Sequence, residues 1–267
     1  MKKEEVLRDF TFTNDYVFCS ILTENPHICQ KIAELATGRK IKEIVKVQAQ
    51  KSIKKSKDGK GVRFDVVFED DENNVYDIEM QKLKRGNIPK RARYYQSLLD
   101  LESLGKGKNK PYSKLKNGYI IFICGFDMFG IGDCRYIART MVEGHPESDY
   151  DDGSRKIFLN ACYTQKGMDP ELRAFLDYVK NGMVESDLVS EIEKIRNRLL
   201  NDAERRAEFM TLQEINDFRY EEGKLDIMLD LVNSGMLKLE DAITKSGLTE
   251  AEFNQALEEY RKENAVT

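Results

Sequence analysis

Acidic residues in the segment RFDVVFEDDENNVYDIEMQ, residues 63–81, recur at a spacing that could hold a metal ion. Side chains of a β-strand alternate between faces. Sorted that way, Val62, Phe64, Val66, Phe68, Tyr76, Ile78 and Met80 fall on an apolar face. Arg63, Asp65, Val67, Glu69, Val75, Asp77, Glu79 and Gln81 fall on the other, more polar one. The polar tract 69–74 supplies a turn, and a turn centred on Glu72 sets Asp65 opposite Glu79 and Arg63 opposite Gln81. Carboxylates so opposed sit about 5 Å apart at Cβ and repel unless a cation lies between them. Few hard oxygen ligands, completed by water and a phosphate, suit Mg²⁺, with Mn²⁺ as a substitute. The same alternation also fits two acids that point into water from a one-sided antiparallel sheet.

The elements that must position this hairpin are readable from periodicity. Residues 13–38 read as two helices split at Asn25-Pro26: Val17, Phe18, Ile21 and Leu22 form one apolar stripe, and Ile28, Ile32 and Leu35 another. Asn is a good N-cap, Pro suits the first helical position, and Gly38 stands where a C-terminal cap belongs. A strand follows at residues 44–48, then a basic loop at 51–61, then the hairpin. Residues 89–104 return to helix, with Tyr94, Leu98 and Leu101 expected on its apolar face. The unbroken apolar run Tyr119-Ile120-Ile121-Phe122-Ile123-Cys124 predicts a buried strand, and residues 156–160 another. The order is helix, three-stranded meander, helix, strand, which is a mixed α/β domain.

Charge is distributed unevenly around the acidic pair. The chain of 267 residues has a formal charge of −4, yet residues 51–116 hold 17 Lys and Arg against 10 Asp and Glu. That segment is net +7 and the remainder −11. A basic zone in an acidic protein can be the footprint of a polyanion, or simply a solvated lysine-rich surface. Lys51, Lys54, Lys55, Lys57 and Lys60, with Arg63, Arg91 and Arg93, are the candidates to grip a phosphate backbone. Five scattered cysteines without a CxxC pair, and two histidines, argue against zinc and for reduced buried thiols. No Gly-rich phosphate loop is visible, no apolar run reaches membrane-span length, and the lysines of the N-terminus precede no apolar stretch. The expected location is the cytoplasm.

With its order of elements, the sequence resembles the PD-(D/E)XK nuclease fold, and more narrowly the branch of PD-(D/E)XK family transposases, or recombination-promoting nucleases. Five features carry the resemblance: Asn14-Asp15-Tyr16-Val17-Phe18, Arg63-Phe64-Asp65, Glu79-Met80-Gln81, Arg91-Ala92-Arg93-Tyr94-Tyr95 and the strand at 119–124. It implies a restriction-endonuclease-like core in which Asp65, Glu79 and the backbone carbonyl of Met80 hold one or two Mg²⁺ ions against a scissile phosphate. Asp15 matches an acidic position near the metal, although an aspartate in a first helical turn also suits the helix dipole. Gln81 stands where the general motif has lysine; it can orient a water by hydrogen bonding but supplies no cation. Arg63, opposite Gln81, is a candidate for the missing charge, and Asp77 for a supporting role.

The expected division is a nuclease-like domain over residues 1–184 and an acidic helical region over 185–267, with 11 positive and 20 negative residues. That tail has helix-turn-helix-like spacing, with a capping box at Thr249 and Glu252, but its last helix is too acidic to favour phosphates, so protein contact or self-association is the stronger reading. The expected function is Mg²⁺-dependent DNA endonuclease, linked through the resemblance to recombination or transposition. The alternative is a catalytically silent nucleic-acid-binding or interaction protein descended from one.

Overall fold

In the computed structural model, which describes residues 8–53, 61–84, 86–104, 111–148, 150–165 and 169–264, Asn14 accepts a hydrogen bond from the Tyr16 N–H at 3.0 Å. It thereby caps helix α1 (Asp15–Glu24), which buries Val17, Phe18, Cys19, Ile21 and Leu22. Pro26 opens α2 (Pro26–Thr37), and Gly38, at φ 71°, closes it in the left-handed conformation that glycine adopts without strain. Three antiparallel neighbours follow: β1 (Ile44–Ile53), β2 (Val62–Asp70) and β3 (Val75–Gln81). Helix α3 (Ile88–Leu104) returns the chain so that β4 (Gly118–Cys124) pairs parallel to β3. The sheet is completed by β5 (Arg135–Ala138) and β6 (Ser154–Asn160), in the order β1-β2-β3-β4-β6-β5.

Each face of the sheet has its own aromatic stack. Phe68, Tyr76 and Tyr119 stack at centroid distances of 4.5 and 4.7 Å on one face. On the other, Phe64, Tyr95, Phe122 and Phe158 form a chain of ring contacts under α3. Ala92, Tyr95, Leu98 and Leu99 are the buried face of α3, so the expected stripe through Tyr94 and Leu101 is corrected: these two are 40% and 54% exposed. The buried stripe is rotated because Arg91 and Tyr95, not Tyr94, lie over Phe122.

The hairpin register matches the sequence expectation along its length from Val66↔Ile78 to Glu69↔Val75. The facial pattern does not. Val62 and Phe64 share the core under α3 with Val67 and Val75, so Phe64 and Val66 lie on opposite faces and the alternation slips at Asp65. Opposite it in β1 the backbone also departs from strand geometry: Gln50, between Ala49 paired with Val66 and Lys51 paired with Phe64, has φ 48°. The polar face of the hairpin is therefore no open surface; α3 covers it, and Asp77 and Glu79 are buried within it.

Helices α4 (Pro170–Asn181) and α5 (Asp187–Asn201) pack with α1 and α2, and the first compact unit runs from Arg8 to Asn201. From Asp202 a second unit consists of α6 (Ala203–Asn233), α7 (Leu239–Ser246) and α8 (Glu250–Asn264) around Leu229, Ala242, Phe253 and Leu257. Its expected capping box is formed: Glu252 accepts from the Thr249 N–H at 2.9 Å, and Thr249 Oγ1 from the Glu252 N–H at 3.4 Å. Among the described residues no helix is long and apolar enough to cross a membrane.

Gly125 follows β4, and a Cβ built there meets the backbone carbonyl of Lys82 at 2.7 Å. Gly125→Ala should therefore push against main chain and destabilise by about 1–3 kcal/mol, read as a lowered urea midpoint. An unchanged midpoint would contradict this packing.

Candidate active site

Beyond Val66↔Ile78 the two hairpin strands stop pairing, and the acidic side chains take over the freed backbone donors. Asp65 Oδ2 accepts from the Met80 N–H, and Glu79 Oε1 accepts from the Asp65 N–H, each at 2.9 Å. Each acid thus satisfies a backbone amide at the other's strand, replacing ladder bonds that the opened strands lack. The slip turns Asp65 toward α1, where a carboxylate oxygen of Asp15, the sulfur of Cys19 and an oxygen of Asp65 lie within 4.8 Å of one another. Glu79 stays under α3 beside Arg91, whose Nη2 is 3.9 Å from Glu79 Oε2.

Three carboxyl groups share this interior. Asp77 is fully buried, and Glu79 is its strongest electrostatic neighbour. Burial, reinforced by Glu79 and Asp65, holds Asp77 well above the ordinary carboxylate range. Burial and then the neighbouring Asp15 raise Asp65 to about 7. Burial and then Asp65 raise Glu79 to about 8. Such a cluster favours a nearby cation; of its carboxyl groups Asp65, with Asp15 beside it, offers oxygen atoms of the kind a hard divalent ion takes, while Glu79 is not among the groups within 4.8 Å of them. Cys19 is a soft donor mismatched to a hard ion, and its sulfur donates to the Asp65 carbonyl at 3.5 Å. A protonated thiol is no ligand for Mg²⁺.

Gln81 occupies the end of β3, and its Oε1 accepts from Arg91 Nη2 at 2.5 Å while its Nε2 donates to the Leu83 carbonyl at 2.6 Å. The guanidinium of Arg91 lies 4.8 Å from the centre of the Phe122 ring and 5.6 Å from that of Tyr95. These rings favour a cation on their faces and fix its height above the sheet. Arg63 instead spends its charge on Asp15, with which it forms an ion pair. The expectation that Arg63 serves Gln81 is thus corrected: the cation beside Gln81 comes from α3. Arg91 sits half-buried in the site, unlike the exposed Arg93 one turn-position away.

Of the other basic candidates, Lys51 is 19% exposed at its side chain and pairs with Glu102 at 2.8 Å, so its charge is already met within the protein. Lys54, Lys55, Lys57 and Lys60 lie outside the described residues. The contribution of Arg91 depends on a helix folding back over β3 and β4, which no local pattern announces. Cys19 lies near Asp15 because it follows it by four residues, one turn along the same helical face.

A mixed six-stranded sheet flanked by helices, with acidic groups where the neighbouring strands β2 and β3 cease to pair, is a restriction-endonuclease-like fold. The sequence pattern described as PD-(D/E)XK nuclease family transposase matches residues 12–224, and the chain belongs to that family. No curated protein and no solved structure matches it.

The raised carboxyls make stability depend on pH in a defined direction. Unfolded, Asp and Glu release their protons near pH 4, whereas the folded protein retains them to about 7 at Asp65 and about 8 at Glu79. Between those limits the folded state binds more protons, so its stability falls as pH rises through this range. In chelator-treated protein the melting temperature should drop from pH 5 to pH 8.5, and Glu79→Gln should flatten that slope. Added Mg²⁺ should raise the melting temperature more at the upper pH than at the lower. A flat wild-type profile would remove the buried, uncompensated acids from the account.

Proposed function

We propose that this protein is a metal-dependent DNA endonuclease, with Asp65, Glu79 and the Met80 carbonyl holding Mg²⁺, or Mn²⁺ in its place. The observation that carries the reading is the opened end of the β2–β3 ladder, where Asp65 and Glu79 cross to each other's backbone and collect negative charge. When bound, the ion supplies a water of lowered pKa and offsets charge on the attacked phosphate. Asp65 and Glu79 bind it as carboxylates, so their raised proton affinities make metal binding and proton release one event. Asp15 adds a third oxygen from α1, and its pairing with Arg63 limits its freedom.

Gln81 orients rather than ionises. Arg91 fixes its Oε1 and carries the positive charge that the family motif places on lysine, set here on α3 instead of β3. A guanidinium at that point stabilises negative charge developing on the phosphate and is held there by two rings before substrate arrives. Arg93, and the lysines of 51–60, contribute phosphate contacts that hold the duplex without reading its sequence. The link to recombination or transposition rests on the family to which the chain belongs.

Two observations favour the silent alternative: each acid already accepts a hydrogen bond from backbone, and Gln81 replaces the lysine. The two readings part in a nicking assay. Supercoiled plasmid with Mg²⁺ or Mn²⁺ should be cut by wild type, and Asp65→Asn or Glu79→Gln should slow the cut by about 100-fold or more. Arg91→Gln should slow it comparably, and Gln81→Ala less. Cutting that survives both Asp65→Asn and Glu79→Gln would refute the assignment. DNA binding with a steep salt dependence and no cutting would instead establish the silent protein.

A further inference from the structure

The loop between β4 and β5 keeps large apolar side chains in solvent while its backbone is held tightly. Asp127 turns inward and accepts from three backbone amides, those of Phe129, Gly130 and Gly132, at 3.0, 2.9 and 2.8 Å, and from the Tyr136 hydroxyl at 2.8 Å. Those bonds depress its own pKa, with its charge consumed inside the loop. Gly130 and Gly132, at φ 72° and 89°, flank Ile131 in conformations other residues rarely adopt. The Phe129 ring rests edge-on against Tyr136 and Phe158 at 4.8 and 5.5 Å. Phe129 is nevertheless 46% exposed, and Ile131 61%. A rigid loop that presents a branched apolar tip to water forgoes burial it could have had, which marks a contact surface.

Its place in the fold says what the contact is. The loop leaves β4 at Gly125, whose N–H donates to the Gln81 carbonyl at 3.0 Å, so it starts where the site ends. Lys84 reaches across to the Met128 carbonyl at 3.5 Å, and Lys82 and Leu83 beside it are exposed. In sheets with parallel strands ligands approach the carboxyl ends, and this loop stands at the carboxyl ends of β3 and β4. Apolar tips flanked by lysines match two features of a nucleic acid at once, phosphates outside and base faces inside.

We propose that Phe129 and Ile131 form an apolar wedge that enters a base step of the bound DNA beside the scissile phosphate, with Lys82 and Lys84 on the flanking phosphates. The inference rests on the nuclease reading and names its substrate class: duplex DNA with a step already weakly stacked, as at a mismatch, nick or junction. Unstacking costs free energy, and it costs least where stacking is already broken. The wedge selects by structure and not by sequence.

The test uses the full chain carrying Asp65→Asn, in Mg²⁺, with a duplex bearing a fluorescent adenine analogue at a mismatch and a fully paired control. The parent should bind the mismatched duplex more tightly and brighten the analogue as its neighbours separate. Ile131→Ala should weaken mismatch binding by about fivefold or more, abolish the brightening, and leave affinity for the paired control unchanged. Phe129→Ala should act alike, and melting temperatures identify any variant that fails through misfolding, with Ile131→Ala, the more exposed of the two, as the decisive one. Equal binding and brightening by Ile131→Ala would overturn the wedge while leaving the nuclease reading intact. Loss of all DNA binding by the parent would overturn the nuclease reading itself. A dimer that Ile131→Ala dissociates would overturn the wedge by assigning the loop to a second copy of the chain.

Discussion

The placing of three carboxyl groups, Asp65, Asp77 and Glu79, inside a folded α/β core is the constraint that shapes the rest of this structure. Burying an ionised carboxylate without a partner is among the most costly things a protein can do, so such groups stay protonated, find a cation, or hydrogen-bond to backbone. All of these appear here. Asp65 and Glu79 borrow amides from each other's strands, Arg91 lies near Glu79, and all three acids are pushed toward the protonated form. Two guanidinium groups stand against them, Arg91 beside Glu79 and Arg63 beside Asp15 and Asp65.

The surrounding architecture follows from that demand. An uninterrupted β2–β3 ladder would have set both acids side by side on the α3 face with their amides already paired. The slip at Asp65, opposite the departure at Gln50, frees those amides and sends Asp65 toward α1, so that acids arrive from both sides of the sheet. Helix α3 then closes the lower side with Tyr95 and Arg91, while Phe122 and Phe158 supply the floor. Gly125 lets β4 turn away tightly enough for its amide to reach the Gln81 carbonyl. Each piece is ordinary packing; their convergence at one strand end makes a site.

Much of this was legible in the sequence wherever a local rule applied. The hairpin register followed from its turn, and Asn14, Pro26, Gly38 and the Thr249–Glu252 box marked helix ends by short-range hydrogen bonding and backbone preference. The family features lay in residue types whose order along the chain is linear information. What escaped depends on tertiary contact. β5 is four residues long and half-exposed, so it has neither the length nor the apolarity that predicts a strand. The slip at Asp65 is accompanied in β1 by a glutamine in a left-handed conformation, for which glutamine carries no signature. Tyr94 and Tyr95 are equally apolar neighbours, and only the position of Phe122 decides which one is buried.

Gln81 and Arg91 illustrate why motif and function can separate. A lysine on β3 and an arginine on α3 can deliver charge to the same point, because the crossover helix between β3 and β4 lies directly over the strand ends. Moving the charge changes its character: a guanidinium is planar, always protonated, and can be clamped between rings as Arg91 is between Phe122 and Tyr95. A lysine could have served as a proton donor or acceptor after a shift in pKa; this arginine cannot. In the proposed nuclease, proton transfer would therefore fall to the carboxyls and to water, with the positive charge left to positioning and electrostatics. Loss of the motif lysine thus does not imply loss of the charge it carried, only of its capacity to ionise.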